Sequence, residues 1–178
     1  MRIITGIVGG RTIKVPKDTR PTQEAVRSAV FSILGETIVK AKCLDLFAGS
    51  GAYGLEALSR GAKSCDFVEV LRDSAEIIKE NINSLNFQEM AIIIQKEGIK
   101  YIGNTENKYD LIFVDPPYEK KEVKYLINQC GQSLNKDGII VYEHAKETKI
   151  PINILGVELI DQRLYGGTAV SYFRKAAS

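Results

Sequence analysis

Leu44-Asp45-Leu46-Phe47-Ala48-Gly49-Ser50-Gly51-Ala52-Tyr53-Gly54 decides how this chain folds. Gly49, Gly51 and Gly54 form a G-x-G-x-x-G run between a short apolar stretch, Cys43–Phe47, that reads as a strand and a stretch, Ala52–Ser59, that reads as a helix. Glycines at this spacing let the backbone turn tightly and approach a ligand closely, while the helix start points free N–H groups into the crevice above the strand. A βαβ unit with a mononucleotide-like cofactor in its crevice is expected.

Outward from this turn the chain alternates short apolar runs with helical ones. Cys65–Val70, Ala91–Ile94, Leu111–Val114 and Gly138–Tyr142 read as further strands; Asp73–Leu85 and Glu119–Leu134 read as the helices that cross between them. Strands joined through helices imply a parallel sheet with right-handed crossovers, so the fold class is α/β, Rossmann-like and doubly wound. The end differs: Val157–Leu164 and Thr168–Phe173 are joined by Tyr165-Gly166-Gly167 alone, which leaves room only for an antiparallel hairpin. Upstream, the β-branched runs Ile3–Val8 and Thr12–Val15 flank Gly9-Gly10, a hairpin signature. Thr22 then caps a helix whose apolar face is Val26, Val30, Ile33 and Leu34, ending at Gly35. Residues 1–35 are thus expected to be an extension carrying hairpin and helix on a domain of residues 36–178, the two forming one structural unit.

Glu69 stands at the end of the second strand, twenty residues after Gly49, where a carboxylate accepts both hydroxyls of a ribose. NAD and S-adenosylmethionine both offer that ribose. Asp45 separates them, because an acid just before the glycines repels a pyrophosphate and welcomes a methionine ammonium group. Glu97-Gly98, after the third strand, lies at the height of an adenine ring. The residues expected to hold S-adenosylmethionine are Asp45, Phe47, Gly49, Ser50, Gly51, Gly54, Glu69, Val70, Glu97 and Gly98.

At the carboxyl end of the fourth strand stands Asp115-Pro116-Pro117-Tyr118. Consecutive prolines hold the backbone near φ −65° and donate no N–H, so the carbonyls there are rigid acceptors. An amine conjugated to a base ring is a weak nucleophile because its lone pair is delocalised. Two acceptors, Asp115 and the Pro116 carbonyl, localise that pair by gripping the amine hydrogens, and Tyr118 stacks on the base. The base must then be presented out of its stack. Both motifs open into one crevice, since ligands of doubly wound sheets bind at the carboxyl ends of the strands.

The composition fits one globular domain: 178 residues, 44% hydrophobic and 26% charged. No run approaches the ~20 apolar residues of a membrane span, and no basic-then-apolar leader opens the chain, so a cytoplasmic protein is expected. Cys43, Cys65 and Cys130 have neither zinc-like nor disulfide spacing and read as core thiols; no metal is expected. The net charge is only +2, but Met1–Arg27 holds six basic residues against two acidic ones, a basic arm on a near-neutral body. His144, the single histidine, reads as structural, and Tyr53 is open between lining the cofactor and covering the helix start.

These residues resemble the bacterial 16S rRNA (guanine-N2-)-methyltransferases of the RsmD type over nearly the whole chain. The similarity runs through Gly6-x-x-x-Gly10-Arg11, Arg20-Pro21-Thr22, Val26-Arg27 with Phe31, Asp45–Gly51, Gly54–Ala62, Glu69, Asn81, Asp115–Tyr118 and Tyr165–Thr168. The arm with R-P-T is the part particular to that family; the glycine run and D-P-P-Y are shared widely among amino-methylating enzymes. The resemblance implies a class I methyltransferase fold with a seven-stranded sheet and an antiparallel C-terminal strand. It implies transfer to a guanine N2 of 16S rRNA, free or in a small-subunit assembly particle, with S-adenosylhomocysteine as by-product. It further implies substrate-side roles for Arg2, Arg11 and Arg27, which would face phosphate, and for Arg20 and Thr22, which would lie near the target base or the methionine end of the cofactor; a monomer is expected. Departures are Tyr53, where a smaller aliphatic residue is usual, and Glu97, where Asp is usual. The competing readings are a DNA adenine-N6 methyltransferase and a non-catalytic RNA-binding module, with a nicotinamide dehydrogenase opposed by Asp45.

Overall fold

A computed structural model describes residues 1–17, 23–117 and 122–177. Helix α1 (Gln23–Leu34) precedes strand β1 (Lys42–Leu46), helix α2 (Ala52–Ser59), strand β2 (Ser64–Val68), helix α3 (Arg72–Ser84) and strand β3 (Ala91–Ile94). Helix α4 (Gly98–Asn104), strand β4 (Tyr109–Val114), helix α5 (Val123–Gln132), and strands β5 (Leu134–Ala145), β6 (Val157–Tyr165) and β7 (Thr168–Lys175) complete the order. Among the described residues the sheet has seven strands in the order β3-β2-β1-β4-β5-β7-β6. β1 to β5 are parallel, and β7 inserts antiparallel between β5 and β6. This is the class I methyltransferase fold.

The inner parallel strands β1, β2 and β4 read as largely apolar runs because both their faces are covered. On one face Cys43, Cys65, Phe67, Leu111, Phe113 and Val141 pack under α1, α2 and α3. On the other, Leu44, Leu46, Val68, Ile112, Val114 and Ile140 pack under α4 and α5. Chain order reverses direction between β1 and β4, so the sheet opens a crevice above their carboxyl ends. All three cysteines are buried, as core thiols should be. No described helix is long and apolar enough to cross a membrane.

Three expectations need correction. The opening hairpin is reduced to an Arg2–Thr12 bridge, flanked by Ile3 N–H to the Arg11 carbonyl (2.9 Å) and Ile13 N–H to the Met1 carbonyl (2.9 Å). The expected strand Ile3–Val8 instead leaves the ladder and binds α2: the Ile4 and Thr5 N–H groups donate to the Glu56 carboxylate at 2.7 and 3.1 Å, and Val8 N–H donates to Ser59 Oγ at 3.2 Å. Gly6, at φ 92°, lies so close to α2 that a Cβ there would be 1.9 Å from the Ser59 carbonyl oxygen. Second, α1 buries Val26, Val30, Phe31 and Leu34, but Ile33 faces solvent. Third, α4 was not expected at all; it is a seven-residue helix with too few turns to show a periodic stripe.

Candidate active site

The glycine turn takes its shape from three positive-φ positions, Phe47 (φ 64°), Gly49 (φ 58°) and Gly51 (φ 79°). Gly54 meets a packing demand instead. A Cβ there would sit 2.4 Å from Phe67 Cε1 and 2.6 Å from Cys65 Sγ, so only glycine lets α2 lie this close to β2. Two acids brace the turn from below. Gly54 N–H donates to Asp45 Oδ2 at 2.9 Å, and Gly49 N–H donates to Glu69 Oε2 at 2.8 Å. Leu71 N–H holds the other Glu69 oxygen at 2.9 Å. Both carboxylates are therefore fixed before any ligand arrives, as a preorganised site requires.

The sheet register brings the second motif alongside. Leu46 pairs with Val114, so Phe47 and Asp115 leave neighbouring strands side by side; Asp115 and Pro116 are half-buried and Pro117 is exposed. Tyr118 lies outside the described residues, as do Arg20 and Thr22. Burial is the main cause that pushes the Asp45 carboxyl up to about 8; the Gly54 N–H and Arg27 oppose it, while Asp115 and Glu69 add to it. Three acids thus share one crevice and raise its demand for a cation. A sulfonium bearing an ammonium group fits that demand, and a pyrophosphate does not. Among the described residues no group of His, Cys, Asp and Glu is arranged to hold a metal.

The remaining positions divide. Ser50 is buried, and its carbonyl accepts from Asn81 Nδ2 at 3.0 Å. The Phe47 ring lies on Gly98, where a Cβ would come within 2.4 Å of Cε1, so this ring and this glycine form one surface beside the turn. Val70 is exposed at the end of β2. Glu97 is also exposed and pairs with Lys100 at 3.0 Å, so an adenine amino group would have to compete with that lysine. Arg2 and Arg11 lie on the surface; Arg2 pairs with Glu24 at 3.5 Å, and Arg11 donates to the Ser84 carbonyl at 2.6 Å. Arg27, expected to face phosphate, is a correction: it is 1% exposed, donates to the Arg2 carbonyl and the Met1 sulfur, and lies 3.8 Å from the Glu56 carboxylate. Its role is to anchor the arm.

His144 fulfils its structural reading. Its ring bonds the Ala145 carbonyl and Ser171 Oγ, both at 2.8 Å, and burial lowers its pKa. The roles of three residues escaped the sequence. Glu56, wholly buried, ties the arm to α2. Asn81 bonds both the arm backbone at Lys14 and the Ser50 carbonyl, joining arm to glycine turn. Glu143, at the end of β5, accepts the Tyr53 hydroxyl at 2.7 Å. Their signal, a carboxylate or amide inside an apolar element, was present, but their partners are 31 to 90 residues away. A cleft of about 240 Å³ lined by Lys40, Asp110, Lys136 and Asp137 lies at the opposite, amino edge of β1, β4 and β5, and touches none of these groups.

Comparison with known proteins agrees with this geometry. Residues 1–174 match the family model described as conserved hypothetical protein 95. Ribosomal RNA small subunit methyltransferase D of Escherichia coli is 31% identical over 181 residues, covering 99% of this chain and 91% of that protein. The same-named protein of Haemophilus influenzae is 32% identical over 178 residues, covering 97% and 91%. The solved structure of the YhhF protein of Escherichia coli superposes with a TM-score of 0.90 at 30% identity, over 100% of this chain and 99% of that one. With its sheet order, glycine turn and D-P-P edge all in place, the chain belongs to the RsmD family of class I, S-adenosylmethionine-dependent methyltransferases.

Proposed function

We propose that this protein methylates the exocyclic N2 amine of a guanine in 16S ribosomal RNA during small-subunit biogenesis, with S-adenosylmethionine as donor. The observation that carries the reading is the convergence of Asp45, Glu69 and Asp115-Pro116 on one crevice at the carboxyl edge of β1, β2 and β4. The relatives named for small-subunit rRNA methylation support the choice of substrate.

The donor would lie over Gly49–Gly54, with Glu69 accepting from its ribose hydroxyls, Asp45 facing its ammonium group and Phe47 with Gly98 flanking its adenine. When bound, it supplies an electrophilic methyl group and leaves as S-adenosylhomocysteine. The chain's own contribution is to the amine. Asp115 and the Pro116 carbonyl accept the two N2 hydrogens, turn the lone pair toward the methyl, and Asp115 or water receives the proton that the methylated nitrogen sheds. Tyr118 stacks on the extruded base. Arg2 and Arg11 contact RNA phosphates, which makes that contact salt-dependent, while Arg20 and Thr22 act at the target base or the methionine end of the donor.

The test is to offer labelled S-adenosylmethionine with small-subunit particles, free 16S rRNA or DNA, then digest the product to nucleosides. Label in N2-methylguanosine from rRNA is expected. Label in N6-methyl-2′-deoxyadenosine from DNA, or in no nucleoside, would overturn the reading.

A further inference from the structure

We propose that Glu143, oriented by Tyr53, reads the N1–H of the target base and so restricts the site to guanine. The inference rests on the guanine reading above and adds to it a residue that selects the base.

The register places Glu143 where such a contact is needed. Val114 of β4 pairs with Tyr142 of β5, so the next residues, Asp115 and Glu143, stand side by side on adjacent strands at the carboxyl edge. Both act on the same phenol: the Glu143 and Asp115 charges each raise the Tyr53 pKa, on top of its burial. Glu143 is 8% exposed, and its Oε2 accepts the Tyr53 hydroxyl at 2.7 Å. Tyr53 itself cannot swing. Its ring lies 5.3 Å from Phe113 and 6.2 Å from Phe31, near-parallel to both, and its backbone lies in the first turn of α2. The hydroxyl therefore holds the carboxylate from α2, and it remains a proton donor because its pKa lies well above the ordinary tyrosine value.

The chemistry of the base edge then decides between purines. Guanine presents two adjacent donors, N1–H and N2–H₂. Adenine presents an acceptor at N1 beside its N6 amine. A carboxylate is acceptor-only, with about four lone-pair sites, so accepting from Tyr53 is compatible with accepting from a base. In the orientation proposed, the amine rests on Asp115 and Pro116 and the neighbouring N1 faces Glu143 on β5. A guanine N1–H there forms a charge-assisted bond with Glu143, whereas an adenine N1 lone pair faces a negative oxygen. Sites built to bond a particular N–H reject analogues that lack it far more strongly than apolar pockets reject a missing methylene.

The discriminating substrate is 2-aminopurine, which keeps the amine but carries a bare lone pair at N1. RNAs with guanine or 2-aminopurine at the methylated position should be compared for transfer, and the fluorescence of 2-aminopurine reports binding without turnover. Wild-type protein is expected to favour guanine by ~100-fold or more in kcat/KM. Glu143→Gln, whose amide both accepts and donates, should lose ~10–100-fold on guanine while binding the 2-aminopurine RNA more tightly than wild type, so that the preference collapses. Tyr53→Phe should raise KM for guanine RNA several-fold and narrow the preference in part, with an unchanged melting temperature as its folding control. If Glu143→Gln and Tyr53→Phe lower transfer to both RNAs equally and leave 2-aminopurine affinity untouched, Glu143 is a structural residue and the inference is wrong. If wild-type protein transfers no methyl to any guanine RNA, the functional reading fails first and takes the inference with it.

Discussion

Asp45 has an observed structural role beside the ligand role proposed for it. It ties down Gly54 N–H, yet burial leaves it with a carboxyl pKa of about 8, above the ordinary 3.8. Without ligand the folded state therefore retains a proton that the unfolded chain releases, so Asp45 lowers stability progressively as pH rises from about 4 to about 8. A cationic donor reverses the preference by ionising Asp45. Binding of S-adenosylmethionine at pH 7 should release a proton, and affinity should climb between pH 6 and 8 by up to about tenfold per unit. Calorimetry in buffers of different ionisation enthalpy measures that proton; Asp45→Asn should bind weakly, without release, and a wild-type protein that releases none would show that Asp45 does not face the ammonium group. Gly54 makes a second residue-scale case. A methyl group there collides with Phe67 and Cys65, both wholly buried, so Gly54→Ala should cost ~1–3 kcal/mol, read as a fall in denaturant midpoint at constant slope. Asp45, Glu69 and the glycines were legible because their spacing within one βαβ unit determines their positions. Tyr53 with Glu143 was not, because their bond spans 90 residues and exists only after β5 has docked beside β4.

Among elements, the arm depends on one buried carboxylate. Glu56 receives the Ile4 and Thr5 N–H groups and Arg60 Nε, and lies 3.8 Å from Arg27 Nε, too far for a hydrogen bond; that nitrogen has no hydrogen-bond partner among the described residues. Burial lowers the Arg27 pKa, and the Glu56 charge is the leading effect that raises it. Glu56→Ala should therefore strand a buried guanidinium and cost ~3–5 kcal/mol, seen as a lower melting temperature and as faster amide exchange over residues 1–14. Slow exchange in that segment after the substitution would contradict the anchoring. The arm also marks where sequence pattern misleads. Ile3–Val8 has the β-branched composition of a strand, but only Ile3 N–H bonds across the arm, to the Arg11 carbonyl; the N–H groups of Ile4, Thr5, Ile7 and Val8 bond α2 side chains and the Ser59 carbonyl instead. The parallel strands were readable because burial on both faces demands apolar runs, a demand the exposed loop of an arm does not share.

For the molecule as a whole, the proposed function gives the donor to β1 with β2 and the base to β4 with β5. That division follows from the switch in strand order between β1 and β4, since it places two independent ligand edges next to each other. Asn81 joins the arm backbone to the Ser50 carbonyl, which ties the arm proposed to contact RNA to the turn proposed to hold the donor. The most direct test of the division is to measure donor affinity and single-turnover methyl transfer side by side in Asp115→Ala and Glu69→Ala. Asp115→Ala should keep donor affinity within a few-fold and lose transfer by ~100-fold or more, while Glu69→Ala should lose donor affinity by ~10-fold or more. Equal loss of donor affinity in both variants, or full transfer by Asp115→Ala, would contradict it.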